Sequence, residues 1–347
     1  MKLRAHFELE VAGRKVRLGE RTLVLGVLNV TPDSFSDGGA YLAPERAIEH
    51  GLEMVRQGAD WIDVGGESTR PGARPVAAEE ELRRVLPVIR GLRRKLRSLP
   101  ISIDTTKAEV AEQAVRAGAT ILNDVSGLRF DPRLAEVARR HGMPLILMHL
   151  RGRPETMQQK PFARSIWRSL RQGLERSIRS ALALGVRHSQ LILDPGMGFG
   201  KTRRQNFEIL GQLHRIREFG LPILVGTSRK SFVQAIVAGE GLAPRKRVAP
   251  PFRGAHAGLK RRRGQFWALI EKVGVGLPRP REGGAPSPLP RLVKRLRERG
   301  ALPYLDLGDA AAVAASILGG AHIVRVHDVA AVLPAVRIAD AILAAGR

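Results

Sequence analysis

Three short apolar runs each end on a group that can hydrogen-bond: Ile101-Ser102-Ile103-Asp104, Ile121-Leu122-Asn123 and Leu191-Ile192-Leu193-Asp194. Carboxylates accept from N–H donors, and an Asn side chain donates and accepts at once. Buried together, the three would discriminate between ligands, because a wrong one would leave polar groups unpaired. A lone Asp at such a place also serves to cap a helix or tie a loop; the trio at matching ends favours binding. A second group is Asn29, Arg70, Arg325 and His327. Two Arg can fork onto anion oxygens, and His adds a donor. A lone His at a strand end is commonly structural, but the Arg-x-His pairing favours an anion role. Asn29 offers an oxygen suited to Mg²⁺, which usually keeps several waters and shares phosphate oxygens. Lys230, in Ser228-Arg229-Lys230, is a compact positive donor or a solvated loop cation. Met148 and Phe199 are apolar walls or core filler.

These groups need elements to position them. Apolar runs rich in Val, Ile and Leu lie at 23–29, 61–64, 101–104, 120–124, 144–149, 191–194, 222–226 and 322–327. Each suits a strand buried on both faces. Helical spacing fills 44–57 (Pro44 at its start), 79–97, 108–117, 131–140, 164–184, 206–219 and 329–345. Eight strands alternating with helices predict a (β/α)₈ barrel, with a doubly wound sheet as the competing arrangement. In a barrel, chemistry gathers at the carboxyl ends of the strands, where every polar group above falls. Residues 7–11 and 15–18, around Ala12-Gly13-Arg14, predict a β-hairpin ahead of the barrel. Two Gly-rich stretches, 31–39 and 68–75, read as turns or as mobile loops able to close over substrate. The stretch 196–202 suggests a phosphate loop, but Pro195 stands where that loop needs Gly, which excludes an NTPase. Lys201 is expected near the pocket mouth.

The chain has 347 residues, 44% of them hydrophobic, enough for one large barrel. No Cys is present, which excludes disulfides, thiolate zinc sites and a cysteine nucleophile. No run approaches the apolar length of a membrane span, and the first ten residues lack an apolar signal segment. A soluble cytoplasmic protein is the expectation. The net charge of +25 is concentrated in 243–308, where 16 Lys and Arg face 4 Asp and Glu. That segment also holds 9 of the 22 Pro, and reads as loop with helical stretches at 264–272 and 289–299. Helical spacing resumes at 310–318. The expected organisation is a hairpin (1–21), a barrel (22–242 and 309–347) and a basic insertion (243–308) in the seventh crossover. An aromatic content of 4% argues against stacking on single-stranded nucleic acid.

Seven segments in order carry a resemblance. They are 26–39, beginning Gly26-Val27-Leu28-Asn29-Val30-Thr31-Pro32; Asp63-Val64-Gly65-Gly66-Glu67-Ser68-Thr69-Arg70-Pro71-Gly72; Ile101-Ser102-Ile103-Asp104-Thr105; Ile121-Leu122-Asn123-Asp124-Val125; Asp194-Pro195-Gly196-Met197-Gly198-Phe199-Gly200-Lys201; Gly226-Thr227-Ser228-Arg229-Lys230; and Arg325-Val326-His327-Asp328. Their order and wording resemble dihydropteroate synthase. The resemblance implies that 6-hydroxymethyl-7,8-dihydropterin pyrophosphate and p-aminobenzoate are joined with release of pyrophosphate, in the presence of Mg²⁺ held at Asn29. It implies that Asp104, Asn123 and Asp194 bind the pterin, with Met148, Phe199 and Gly226 beside it. Lys230 and Ser231 would lie between the two substrates, and Phe35, Thr69 and Pro71 near p-aminobenzoate. Arg70, Arg325 and His327 would hold the anion, and Asp104, Lys230, Arg325 and His327 would act on the reacting groups. A homodimer through barrel helices is also implied. A pterin-dependent methyltransferase and a non-catalytic barrel whose basic insert binds nucleic acid are the alternatives. Asp309 departs from the family, which more often has Thr there.

Overall fold

The computed structural model describes residues 4–31, 42–159, 161, 163–238, 240–242 and 303–346. Phe35, most of the 31–39 loop and the basic segment as far as 302 lie outside the described residues. Strands β1 (Phe7–Val11) and β2 (Arg14–Leu18) pair antiparallel as the expected hairpin. Ala12 and Gly13 join them with φ of 52° and 72°. Two successive positive values make the kind of turn whose twist matches that of the strands.

Eight parallel strands follow: β3 (Leu23–Asn29), β4 (Trp61–Gly65), β5 (Ile101–Asp104), β6 (Ile121–Asp124), β7 (Leu145–Met148), β8 (Leu191–Asp194), β9 (Leu224–Val225) and β10 (Ile323–Val326). They lie in the order β8-β7-β6-β5-β4-β3-β10-β9. A parallel bridge from Leu193 to Ile223 joins the two ends of this sheet. The (β/α)₈ barrel is therefore formed, and the doubly wound sheet is excluded. Strand β9 is shorter than the sequence suggests because His322 occupies its backbone. The Ile223 N–H donates to His322 Nδ1 at 3.1 Å, and the Ile223 carbonyl accepts from the amides of His322 and Ile323.

Around the barrel run α1 (Leu42–Arg56), α2 (Ala78–Lys95), α3 (Ala108–Ala117), α4 (Arg133–Arg140), α5 (Ile166–Ala183), α6 (Arg203–Gly211), α7 (Ser231–Val237), α8 (Pro303–Leu318) and α9 (Val329–Ala345). The helix expected over 206–219 begins instead at Arg203. Thr202 and Gln205 form a reciprocal cap there, each side chain accepting from the other's amide. It ends at Gly211, and a 3₁₀ turn covers Leu213–Phe219. Helix α7 was not expected; it is short, and buries Phe232, Val233 and Ala235. Helix α8 starts at Pro303, seven residues before the helical spacing read at 310–318. Proline suits a first helical position, where the missing N–H costs no bond. A Cβ at Gly308 would collide with Val237, so glycine lets α8 lie close to α7.

Strand side chains alternate between two cores. One face, including Val24, Ile62, Ile103, Leu122, Leu147, Leu193 and Val324, packs under the helices. The other fills the barrel with Leu25, Trp61, Ile121, Ile146, Ile192, Leu224 and Ile323, and the hairpin's Leu9, Val11 and Leu18 plug this core from below. At the carboxyl ends the inward positions turn polar. Among the described residues no helix is long and apolar enough to cross a membrane.

Candidate active site

The pocket floor is a hydrogen-bonded set from four strands. Asp104 on β5 stands opposite Asn123 on β6 in the sheet register. Arg325, on β10, reaches across the barrel. Its Nε donates to Asp63 Oδ2 at 2.6 Å and its Nη2 to Asp104 Oδ2 at 2.7 Å. Asn123 Nδ2 donates to the same Asp63 oxygen at 3.0 Å. Asp63, Asp104 and Asn123 are 0%, 7% and 4% exposed, so these bonds are made with little competition from water. Burial pushes Asp104 up to about 8 against the opposing pull of Arg325, with the Asp63 charge adding to the rise. Burial works to lower the Arg325 pKa, but Asp63 and Asp104 together raise it.

Asp194 closes one side of the floor. Its Oδ1 accepts from the Gly196 amide at 2.6 Å. Gly196 has φ of +65° and presses on the His149 carbonyl, a place where no side chain fits. Burial raises the Asp194 pKa, while that amide and Lys230 oppose it. Lys230 holds its Nζ 4.2 Å from the centre of the Phe199 ring, a cation–π contact. Burial and Arg325 push Lys230 down to about 8, and Asp194 and Asp104 pull the other way. Phe199 and Met148 join Val125, Leu150 and Met157 in one apolar cluster beside these charges.

Of the four residues expected to hold an anion, Arg325 donates to the floor carboxylates Asp63 and Asp104. Arg70 is exposed on the segment between β4 and α2, and Asn29 is half-buried at the end of β3. Electrostatics still relate them to one pocket. His327 is lowered well below its ordinary value, first by burial and then by Arg229, Arg325, Lys230 and Arg70. It is therefore neutral at pH 7 and contributes an N–H without a charge. The cations around it supply a positive field.

Asp309 has a role that its departure from the family's Thr did not suggest. Its Oδ2 accepts from Ser228 Oγ at 3.0 Å and from the Arg229 amide at 2.8 Å. Arg229 has φ of 57°, so this carboxylate braces a strained turn that leads directly to Lys230. Ser228 Oγ in turn accepts from the His327 amide at 3.3 Å. Asp309→Ala leaves a buried hydroxyl and an amide without their acceptor, and should cost about 1–3 kcal/mol in urea unfolding, with a lower kcat as Lys230 shifts.

Lys201 is a further correction. It is 2% exposed, not at the pocket mouth. Its Nζ donates to the carbonyls of His149, Gly196 and Phe199. It ties the loop after β8 to that after β7, and burial pushes it down to about 7. Ser231 is exposed at the start of α7, and Gly226 follows β9 beside Arg325. Thr69 is half-buried and Pro71 exposed. Sequence reasoning has Asp63 at the head of the Asp63–Gly72 segment and gives it no role of its own. Its signal was a charge inside the apolar run Trp61-Ile62-Asp63-Val64, on the same inward face as Gly65.

Residues 25–259 match the model of one family, described as pterin binding enzyme. The chain belongs to that family. Among relatives of this pterin binding enzyme, the dihydropteroate synthase of Synechocystis is 50% identical over 219 residues, covering 63% of this chain and 75% of the relative. A Xanthomonas albilineans dihydropteroate synthase with 4-aminobenzoic acid superimposes with a TM-score of 0.72 at 35% identity, covering 98% of this chain and 99% of that one. The same organism's enzyme in complex with 7,8-dihydropteroate gives 0.69 at 33% identity, covering 97% and 99%.

Proposed function

We propose that this chain is a dihydropteroate synthase, a transferase that joins 6-hydroxymethyl-7,8-dihydropterin pyrophosphate to p-aminobenzoate, giving 7,8-dihydropteroate and pyrophosphate. The observation that carries the reading is the buried Asp63–Arg325–Asp104 set with Asn123 and Asp194 beside it. A pterin ring has a guanidine-like edge with an amino group and ring nitrogens next to a carbonyl. Asp104 and Asp194 accept from its N–H donors, Asn123 both donates and accepts, and Lys230 donates to a ring carbonyl or nitrogen. Asp63 Oδ1 is buried and has no hydrogen-bond partner among the described residues, so the floor retains acceptor capacity. Phe199 and Met148 pack against the ring, with Gly226 leaving it room.

The reaction needs no nucleophilic side chain. The C–O bond to pyrophosphate breaks with its electron pair leaving on the anion, and the amine of p-aminobenzoate forms the C–N bond and gives up one N–H proton to solvent. Positive charge that develops on the methylene carbon spreads into the ring, where Asp104 and Asp194 stabilise it. Arg70, the His327 N–H and the positive field of Lys230 and Arg325 stabilise the departing anion. Thr69, Pro71, Phe35 and Ser231 serve p-aminobenzoate. No group of three or more His, Asp and Glu suited to a metal exists among the described residues. A single neutral oxygen from Asn29 fits an ion that keeps its waters and shares phosphate oxygens. Asn29 would hold Mg²⁺, whose chemistry is to neutralise charge on the leaving pyrophosphate.

We also propose a cytoplasmic homodimer, with the basic insertion at 243–308 as an accessory to the barrel and nucleic acid no partner. Leu307 on α8 and Ile338 and Ile342 on α9 are 62%, 64% and 48% exposed, apolar side chains on the last two helices that a second copy would cover. The floor reading is tested with a pyrophosphorylated analogue that lacks the ring amino group. A site built for those donors should lower its kcat/KM by about 10³-fold or more. Comparable rates for the two compounds would overturn the assignment.

A further inference from the structure

The segment between β4 and α2 carries Thr69, Arg70 and Pro71, and its root is held by a part-buried ion cluster apart from the residues read as substrate contacts. Glu81 on α2 is 0% exposed. Lys107, which caps α3, donates its Nζ to Glu81 Oε2 at 2.5 Å and also to the carboxylate of Glu67 on the segment itself. Arg84, one turn further along α2, donates to the Gly66 carbonyl at 2.8 Å. Lys107 belongs to the turn that follows Asp104, where its own amide donates to Thr105 Oγ1 at 3.2 Å. One cation thus joins the end of β5 to the segment after β4. The far end of the segment is tied more weakly, by the Gly72 amide to the Pro154 carbonyl at 3.1 Å and the Ala73 amide to the Arg70 carbonyl at 3.0 Å.

We infer that Lys107 and Glu81 are positioning residues, which through Glu67 hold the Thr69–Arg70–Pro71 segment in register with Asp104 for capture of the aryl amine. A buried carboxylate is costly unless paired, and a simple fold contact needs no second carboxylate from the loop. The arrangement of two acids on one Lys transmits the position of the pterin floor to the segment that meets the second substrate. This inference rests on the reading above, in which that segment serves p-aminobenzoate and the leaving anion.

The test uses the full chain and three variants. Glu67→Gln keeps the Lys107–Glu81 pair and removes only the charge on the loop side. It should raise the KM for p-aminobenzoate roughly tenfold, as loss of positioning by a supporting shell does. The affinity for pterin pyrophosphate alone, measured by calorimetry, should stay within about twofold, and the Tm should not move. Hydrogen exchange at the Gly72 and Ala73 amides should quicken. Lys107→Met leaves Glu81 buried without a partner and risks misfolding, so it is paired with Glu81→Gln; the double variant should fold and show the same selective rise in KM. An unchanged KM with unchanged exchange in Glu67→Gln would overturn the inference. So would a parallel loss in both substrates together with a lower Tm, which is the signature of a merely structural pair. Arg70→Ala separates the two readings. Full turnover in that variant would remove the role of the segment itself, whereas a disabled Arg70→Ala beside a silent Glu67→Gln would remove the clamp alone.

Discussion

Asp104→Asn should lower kcat about 10²- to 10³-fold while the KM for p-aminobenzoate changes by less than about twofold, the scale of losing one preorganised electrostatic group. The asymmetry follows from place. Asp104 is at the floor, bonded to Arg325 and level with Asn123, whereas p-aminobenzoate is proposed to meet Thr69, Pro71 and Ser231 nearer the surface. Asparagine keeps the shape and loses the charge that favours a cationic ring. The substitution should also change the pH profile. Burial pushes Asp104 up to about 8, so its active carboxylate form grows as pH rises through that value. Lys230 is pushed down to about 8, so its charged form falls over the same range. The wild-type kcat/KM for the pterin substrate should therefore be bell-shaped near pH 8, with apparent values that belong to the interacting groups jointly. Asp104→Asn should lose the acidic limb, and Lys230→Met the alkaline one. Equal losses in both substrates' parameters, or an unchanged acidic limb, would sink the assignment of Asp104.

Arg325→Met should cost about 3–5 kcal/mol of stability and abolish measurable turnover, because it leaves two buried carboxylates facing each other without their cation. Asp63 and Asp104 would then compete for Asn123 alone. The pH dependence has a definite sign. The folded pKa of Asp104 is raised above its unfolded value, and removing Arg325 takes away an influence that lowers it. A raised carboxylate contributes stability that is full below its unfolded value near 4 and is lost as pH rises through the folded one. The variant's deficit against wild type should thus be smaller at pH 5 than at pH 8, read as urea midpoints at the two values. A deficit that grew toward acid would contradict the pairing.

Much of this fold is legible in the sequence, because a strand buried on both faces leaves a short run of Val, Ile and Leu ending on a polar group. Asp104, Asn123 and Asp194 announce themselves in that way. The whole barrel order follows from such runs, and the hairpin from Ala12-Gly13 between two alternating stretches. Other features depend on contacts across the chain. Asp63 lies within its run and gains a role only once β10 brings Arg325 over it. Arg325 and His327 read as one anion motif because they are two residues apart, yet the floor claims the first and the turn at Ser228 neighbours the second. Lys201 resembles a phosphate-loop lysine, but it is three carbonyls from two separate loops that hold it. The start of helix α8 at Pro303 lies ahead of the helical spacing at 310–318, and the value of Gly308 lies in Val237 of another helix. The Glu67–Lys107–Glu81 cluster joins three elements and has no local pattern.

The most direct test of the central claim is a product balance with the purified full chain, mixing the pterin pyrophosphate, p-aminobenzoate and Mg²⁺ and following dihydropteroate and pyrophosphate together. The account predicts matched release of the two, blocked by a sulfonamide competing with p-aminobenzoate. Pterin binding without either product, or pyrophosphate release without dihydropteroate, would contradict it.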